Sequence, residues 1–256
     1  MKRITTLTYG LFCYAVFFAS FLYAIGFIGN LIVPKSIDSV PTVSLGAALL
    51  INTVLLAVFA VQHSVMARPF FKRAWTRIVP VQAERSTYVL FSSLALILLF
   101  ALWQPMGGVV WDLQNSVARN AMYVAYGFGW ALVLASTFAI DHFDLFGLRQ
   151  TWRYARGVEY QPPVFKQPIL YRIVRHPLYV GWIFVFWSTP TMTIAHLFFA
   201  VVTTLYILIA IQLEEHDLKN AHPEYDEYKK KVPMLIPVVG RLFRKPLANS
   251  AKARYG

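Results

Sequence analysis

The chain has 256 residues, of which 57% are hydrophobic, 16% aromatic and only 14% charged. Soluble domains carry about 25% charged and about 45–50% apolar residues, so this composition excludes an ordinary soluble domain and points to an integral membrane protein. The formal charge is +12, spread over short connections, which fits cytoplasmic loops held in place by Lys and Arg and argues against a nucleic-acid partner. Cys13 is the single cysteine; it allows no intramolecular disulfide and no cysteine-rich metal site.

Lys2 and Arg3 precede a nearly unbroken apolar run, Ile4–Val33. That is longer than a signal-peptide core of about 7–15 residues, so it reads as an uncleaved first span. Asn30, Pro34, Asp38 and Pro41 mark an outer connection. Thr42–Met66 is the second span, ending in Gln62-His63-Ser64 and followed by Arg68, Lys72, Arg73, Arg77 and Arg85. That basic loop belongs inside. Ser86–Trp103 is the third span, closed by Gln104-Pro105-Met106-Gly107-Gly108. Val117–Ile140 is the fourth, with Gly127, Gly129, Ala131, Ala135 and Ser136 permitting close helix approach.

Asp141-His142-Phe143-Asp144 opens a basic inner connection that carries Arg149, Arg153, Arg156, Lys166, Arg172 and Arg175. Pro162, Pro163 and Pro168 interrupt any continuous helix there. From Leu178 to Leu213 the sequence is largely apolar. One straight helix over that run would exceed about 50 Å, against a hydrocarbon core of about 30 Å. Ser188-Thr189-Pro190-Thr191 is the natural break, which predicts a helical hairpin entering and leaving on one side. The fold class is therefore an all-α polytopic membrane bundle, four spans plus a C-terminal hairpin, forming one domain with both termini inside.

In this topology Gln62-His63, Asp141-His142, Arg175-His176 and Glu214-Glu215 all fall at the inner membrane boundary. Ionisable groups near hydrocarbon are costly unless paired or hydrated, so their convergence predicts a polar pocket. Each also has a plainer reading. Arg172 and Arg175 suit inside-positive anchors, His176 before Pro177 suits a helix start, and Glu215 with Lys219 has the spacing of a surface ion pair. Glu214 lacks such a partner. His196 reads as structural, and His216 and His222 as surface residues. No spacing matches a two-histidine zinc motif, and there is no Gly-rich phosphate loop.

Arg175-His176-Pro177-Leu178-Tyr179-Val180-Gly181, followed by Glu214-Glu215-His216-Asp217-Leu218, Tyr225-Asp226-Glu227-Tyr228 and Val232-Pro233, resembles the isoprenylcysteine carboxyl methyltransferase-like superfamily. The resemblance implies a site for S-adenosylmethionine (AdoMet) within about residues 168–240, built by Tyr171, Arg175, His176, Pro177, Tyr179, Gly181, Glu214, Glu215, Tyr225 and Tyr228. Ile169-Leu170 stands where the superfamily often has Gly-Pro. Gln62-His63-Ser64 with Met66-Ala67-Arg68-Pro69, Glu84-Arg85-Ser86-Thr87-Tyr88 and Phe146-Gly147-Leu148 with Gln150 resemble the bacterial methanethiol S-methyltransferases. The histidine-serine segment is also reminiscent of NnrU-like membrane proteins.

These resemblances imply an inner-membrane enzyme that methylates a small thiol, methanethiol, to dimethyl sulfide, with its site on the cytoplasmic side. Arg175 and protonated His176 then suit the donor's carboxylate, Glu214 or Glu215 its ammonium or ribose hydroxyls, and Tyr179, Tyr225 or Tyr228 its cation or adenine. An alkyl thiol with a pKa of about 10 is only about one part in a thousand ionised at neutral pH, so a base is expected. Asp141, His142 and His63 are the candidates, with Gln62, His63 and Phe143 facing the substrate. Competing readings are methylation of a prenyl-cysteine carboxylate, a phospholipid amine or another thiol, and a non-catalytic NnrU-like protein or small transporter.

Overall fold

The apolar runs become helices because, within hydrocarbon, each backbone polar group must bond inside its own segment. In the computed structural model, which describes residues 2–161 and 166–237, five helices are long and apolar enough to cross a bilayer. They are α1 (Lys2–Gly29), α2 (Leu45–Ala67), α4 (Val81–Leu102), α5 (Ser116–Ile140) and α10 (Ile194–Ala221). Between them lie α3 (Pro69–Trp75), the strand β1 (Val109–Asp112), α6 (His142–Leu145), α7 (Leu148–Arg156), α8 (Ile169–Ile173), α9 (Pro177–Trp187) and β2 (Thr191–Thr193); α11 (Tyr225–Lys231) follows. The chain is a multi-pass membrane protein. Its lipid face is visible on α2, where Leu50, Val54, Val58 and Val61 are exposed at helical spacing.

Side-chain caps begin three spans: Ser44 accepts from the Ala47 amide, Asn115 from Ala118 and Thr193 from His196. The first helix stops four residues short of Val33 because Asn30 and Ile32 take positive φ and Pro34 follows. The third span begins at Val81, so Glu84 and Arg85 lie in its first two turns instead of in the preceding loop. Pro162 and Pro163 lie outside the described residues.

The C-terminal hairpin forms where expected. Eleven residues of α9 reach only about 16 Å, and Ser188–Pro190 carries the chain onward in extended form. At the tip, β2 pairs antiparallel with β1, Trp111 opposite Met192. This small sheet is an addition to the expected all-helical bundle. Asp38, from the first outer connection, accepts from the Thr193 hydroxyl and lies 3.5 Å from His196 Nδ1, while His196 Nε2 bonds the Phe186 carbonyl at 3.0 Å. His196 is thus structural, tying the tip to the outer loops.

The hairpin leans chiefly on α5. A Cβ on Gly181 would stand 2.9 Å from the Gly129 carbonyl oxygen and from the Val133 amide, and one on Gly129 would meet Gly181 in return. Two bare backbones therefore touch. Fully buried Phe27, Leu99, Trp103, Val185 and Ile211 fill the space inside the bundle.

Candidate functional site

Proline at the first position of α9 starts that helix without needing an amide partner, and it leaves His176 and Arg175 at the entry. Their backbone amides bond the carbonyls of Met234 and Pro233 at 3.2 and 2.8 Å. The segment after α11 is thereby laid along the α9 entry. Glu215, only 4% exposed, sits between them near the end of α10. Its Oε1 accepts from Arg175 Nε at 2.7 Å and His176 Nε2 at 3.0 Å, and its Oε2 meets Lys229 Nζ at 2.6 Å. Arg175 also donates from Nη1 to the carbonyls of Val232 (2.5 Å) and Lys229 (3.1 Å). A buried carboxylate is tolerable only with such compensation.

This lock revises one sequence expectation: Glu215 is no surface partner of Lys219, which pairs with Asp226 at 3.2 Å. Arg175 is committed through Nε and Nη1 to Glu215 and to two carbonyls, which gives it a structural task. Tyr225 and Tyr228 are buried at 2% and 3% exposure and pack with Val232, so their faces cover α11 and do not lie open. The Tyr228 hydroxyl donates to the Tyr171 carbonyl at 2.5 Å. Burial raises the pKa of Tyr171, Tyr225 and Tyr228, keeping all three phenols protonated. Pro177 and Gly181 serve the helix start and the α5 contact.

What stays available is Glu214. Its side chain is 43% exposed, its Oε2 accepts from the Tyr179 hydroxyl at 3.0 Å, and it stands 4.0 Å from His176 Nδ1. His176 gives its Nε2 proton to Glu215, so Nδ1 is the nitrogen turned towards Glu214. Ser64 of α2 and Tyr206 of α10 share a hydrogen bond of 3.0 Å, which ties α2 to the helix that carries Glu214. Arg68 fastens the same ends, reaching Asp217 at 2.8 Å and the Leu213 carbonyl at 3.0 Å.

Further into α2, His63 lies within 3.0 Å of the Tyr88 hydroxyl and 3.2 Å of Ser92, against the Phe59 ring. Gln62 Nε2 reaches Met66 Sδ at 3.1 Å, and its Oε1 is buried with no hydrogen-bond partner. The motifs around Arg85 and Phe146 meet each other: Arg85 Nε donates to the Leu145 carbonyl at 2.7 Å and Ser86 to the Gly147 carbonyl at 3.2 Å. Gly147 has φ +85°, and a Cβ there would press on the Ser86 amide at 2.6 Å, so the residue must be glycine.

The second polar half gathers around His142. Asp141 caps α6 through the Asp144 amide at 3.1 Å and pairs with Arg149. His142 is buried. The Thr137 hydroxyl donates to the Leu134 carbonyl at 2.8 Å, so towards His142 Nδ1, at 2.9 Å, it accepts. The proton therefore sits on Nδ1, and Nε2 accepts from the Tyr14 hydroxyl at 2.8 Å. Tyr14, Phe138, Phe143 and Phe146 surround the ring. Burial lowers the His142 pKa and favours the neutral imidazole. Tyr14 was not foreseen; it is one aromatic among many in an apolar span, with no local signal.

Among the described residues, no hydrogen bond, ion pair or ring contact joins His142 directly to His176 or Glu214. The halves approach through α5, since Tyr171 reaches the Ser136 carbonyl at 3.5 Å beside Thr137, and through Phe146, which stacks on Phe17 at 3.8 Å in the cluster containing Tyr88. Among the described residues, no group of three or more His, Cys, Asp or Glu could hold a metal ion.

No family model and no solved structure matches the chain. Curated proteins do. Methanethiol S-methyltransferase of Crocosphaera subtropica is 56% identical over 94% of this chain and 95% of its own length. The protein of that name from Mycobacterium tuberculosis is 50% identical over 93% of this chain and 98% of its own. Bovine nurim is 32% identical over 64% of this chain and 66% of its own. With half or more of its residues identical across nearly the full length of two such proteins, the chain belongs to the methanethiol S-methyltransferase family.

Proposed function

We propose that the protein transfers the methyl group of AdoMet to methanethiol, giving dimethyl sulfide. The observation that carries the cofactor reading is Glu214: a half-open carboxylate held by Tyr179 and facing His176 Nδ1, outside the completed Arg175–Glu215 lock. An open carboxylate suits an ammonium or hydroxyl groups, and AdoMet presents both, so the residues fit the donor. The names of the relatives support the acceptor. The location proposed is the bacterial inner membrane, with both termini and the site on the cytoplasmic side, following the basic loops.

When bound, AdoMet supplies an electrophilic methyl group on a sulfonium sulfur. Glu214 then holds its donors, while Arg175 and Glu215 fix the angle between α9 and α10 from which Glu214 and Tyr179 project. The thiol proton must leave before or during attack. Tyr14 can take it on oxygen while passing its own proton to His142 Nε2, and the Nδ1 proton stays on His142, donated to the Thr137 hydroxyl. Asp141 orients His142 by capping its turn. Phe138, Phe143 and Phe146 exclude water, and a dry site favours merging a thiolate with a cation into neutral products. Gln62 and His63 border the Tyr88 side and shape the substrate space.

The test is headspace detection of dimethyl sulfide from the purified chain given AdoMet and methanethiol, with other thiols in parallel. No dimethyl sulfide, or equal turnover of bulky thiols, would sink the proposal.

A further inference from the structure

A cavity of about 590 Å³ lies between the start of α4, the end of α5 and α7, away from Glu214 and His176. Ligand sites range over about 300–1,000 Å³. Among its lining residues are Lys72, Arg85, Asp144, Gln150 and Tyr160. Asp144 and Gln150 are 9% and 7% exposed, and each has an oxygen with no hydrogen-bond partner, Asp144 Oδ1 and Gln150 Oε1. The rest of both groups is committed. Tyr160 donates to Asp144 Oδ2 at 3.2 Å, and Gln150 Nε2 donates to the Asp144 carbonyl at 3.2 Å and reaches Tyr160 at 3.3 Å. The amide orientation is therefore fixed by a carbonyl, and Oε1 is an acceptor without a donor.

A buried acceptor left unpaired is costly, so a donor belongs there. The same cavity is also lined by two cations, Lys72 and Arg85. Arg85 has only its Nε engaged, on the carbonyl of Leu145, the residue after Asp144, and its guanidinium lies 5.0 Å above the Tyr88 ring. Neither Lys72 nor Arg85 forms an ion pair with a carboxylate among the described residues. A carboxylate and a guanidinium thus stand one residue apart along the wall without pairing.

We infer that this cavity binds an α-amino-acid zwitterion, its ammonium on Asp144 and Gln150 and its carboxylate on Arg85 and Lys72. Unpaired acceptors and unpaired cations around one cavity suit a ligand that carries both an ammonium and a carboxylate. Burial raises the Asp144 pKa and pushes Tyr160 up to about 12, and an ammonium would relieve that cost of the buried charge. The zwitterion can be a free amino acid or the amino-acid end of an adenosyl ligand.

The experiment is titration calorimetry on the full-length chain in detergent, with L-methionine as one probe and S-adenosylhomocysteine as the other. L-Methionine should bind saturably, and Asp144→Asn should weaken it by about tenfold or more, the scale of one charge-assisted hydrogen bond. Lys72→Gln, at a half-exposed side chain, should do the same without disturbing the fold. Loss of S-adenosylhomocysteine binding in the same variants, with mutual competition, assigns the zwitterion to the adenosyl ligand; independent binding assigns it to a free amino acid. Ethylamine and acetate, each with one charge, should bind at least about tenfold more weakly. Failure of both probes to depend on Asp144 and Lys72, or equal binding of ethylamine, overturns the inference. Assignment to the adenosyl ligand would move its amino-acid end from Glu214 to this cavity and should leave S-adenosylhomocysteine affinity unchanged in Glu214→Gln; independent binding leaves the AdoMet reading standing, with affinity lost in Glu214→Gln.

Discussion

Arg175 divides two accounts of the site. If it faced a ligand carboxylate, replacing it would weaken binding and leave the fold intact. The geometry says otherwise: its Nε and Nη1 donors serve Glu215 and the carbonyls of Lys229 and Val232. In Arg175→Met the carboxylate of Glu215 keeps His176 and Lys229 but loses its buried guanidinium partner, and two carbonyls lose their donor. Breaking one side of a buried pair costs about 3–5 kcal/mol. For a chain of this size each kcal/mol shifts Tm by about 2–4 °C, so the fall should be roughly 6–20 °C. Intrinsic tryptophan fluorescence during heating in detergent reads it. Arg175→Lys should recover only part, because a lysine cannot present the fork that serves a carboxylate and carbonyls together. A Tm within a degree or two of the native chain, combined with lost S-adenosylhomocysteine affinity, would refute the lock and restore Arg175 as a ligand contact.

Glu214→Gln should behave oppositely, leaving Tm unchanged and raising the S-adenosylhomocysteine Kd about tenfold to a hundredfold, the range for a hydrogen bond to a charged group; calorimetry decides. Tyr14→Phe should lower kcat by about a hundredfold or more, with Tm nearly unchanged, as expected for a lost proton acceptor. The His142 imidazole must be neutral to accept, and its folded pKa lies below the usual value of about 6.5. Above about pH 6.5 neither folded nor unfolded chain is protonated there. As pH falls through that value the unfolded chain takes up the proton first, so stability declines until the folded pKa is passed. The acid limb of kcat should lie in the same window and vanish in the Tyr14→Phe background. Gly181→Val should force α9 off α5 and cost about 1–3 kcal/mol, read as a lower Tm.

The sequence determined the membrane class, the spans and the hairpin, because hydropathy length against bilayer thickness is a local property of the chain. Ser188–Thr191 was legible as the break, and the paired motifs at Arg175-His176 and Glu214-Glu215 were legible as one site. Tertiary structure decided which of those residues are locked in mutual contacts and which stay open. Spacing made Glu215 a helix-surface partner of Lys219; packing buried it under Arg175 and left Glu214 as the open carboxylate, since one residue of offset turns a helix side chain by about 100°. Gly181 looked like part of a cofactor motif and is a backbone contact with Gly129. Tyr14 carried no signal, because its meaning comes from His142 at a sequence distance of 128 residues. The β1–β2 pairing was equally silent, as strands of four and three residues exist only through each other.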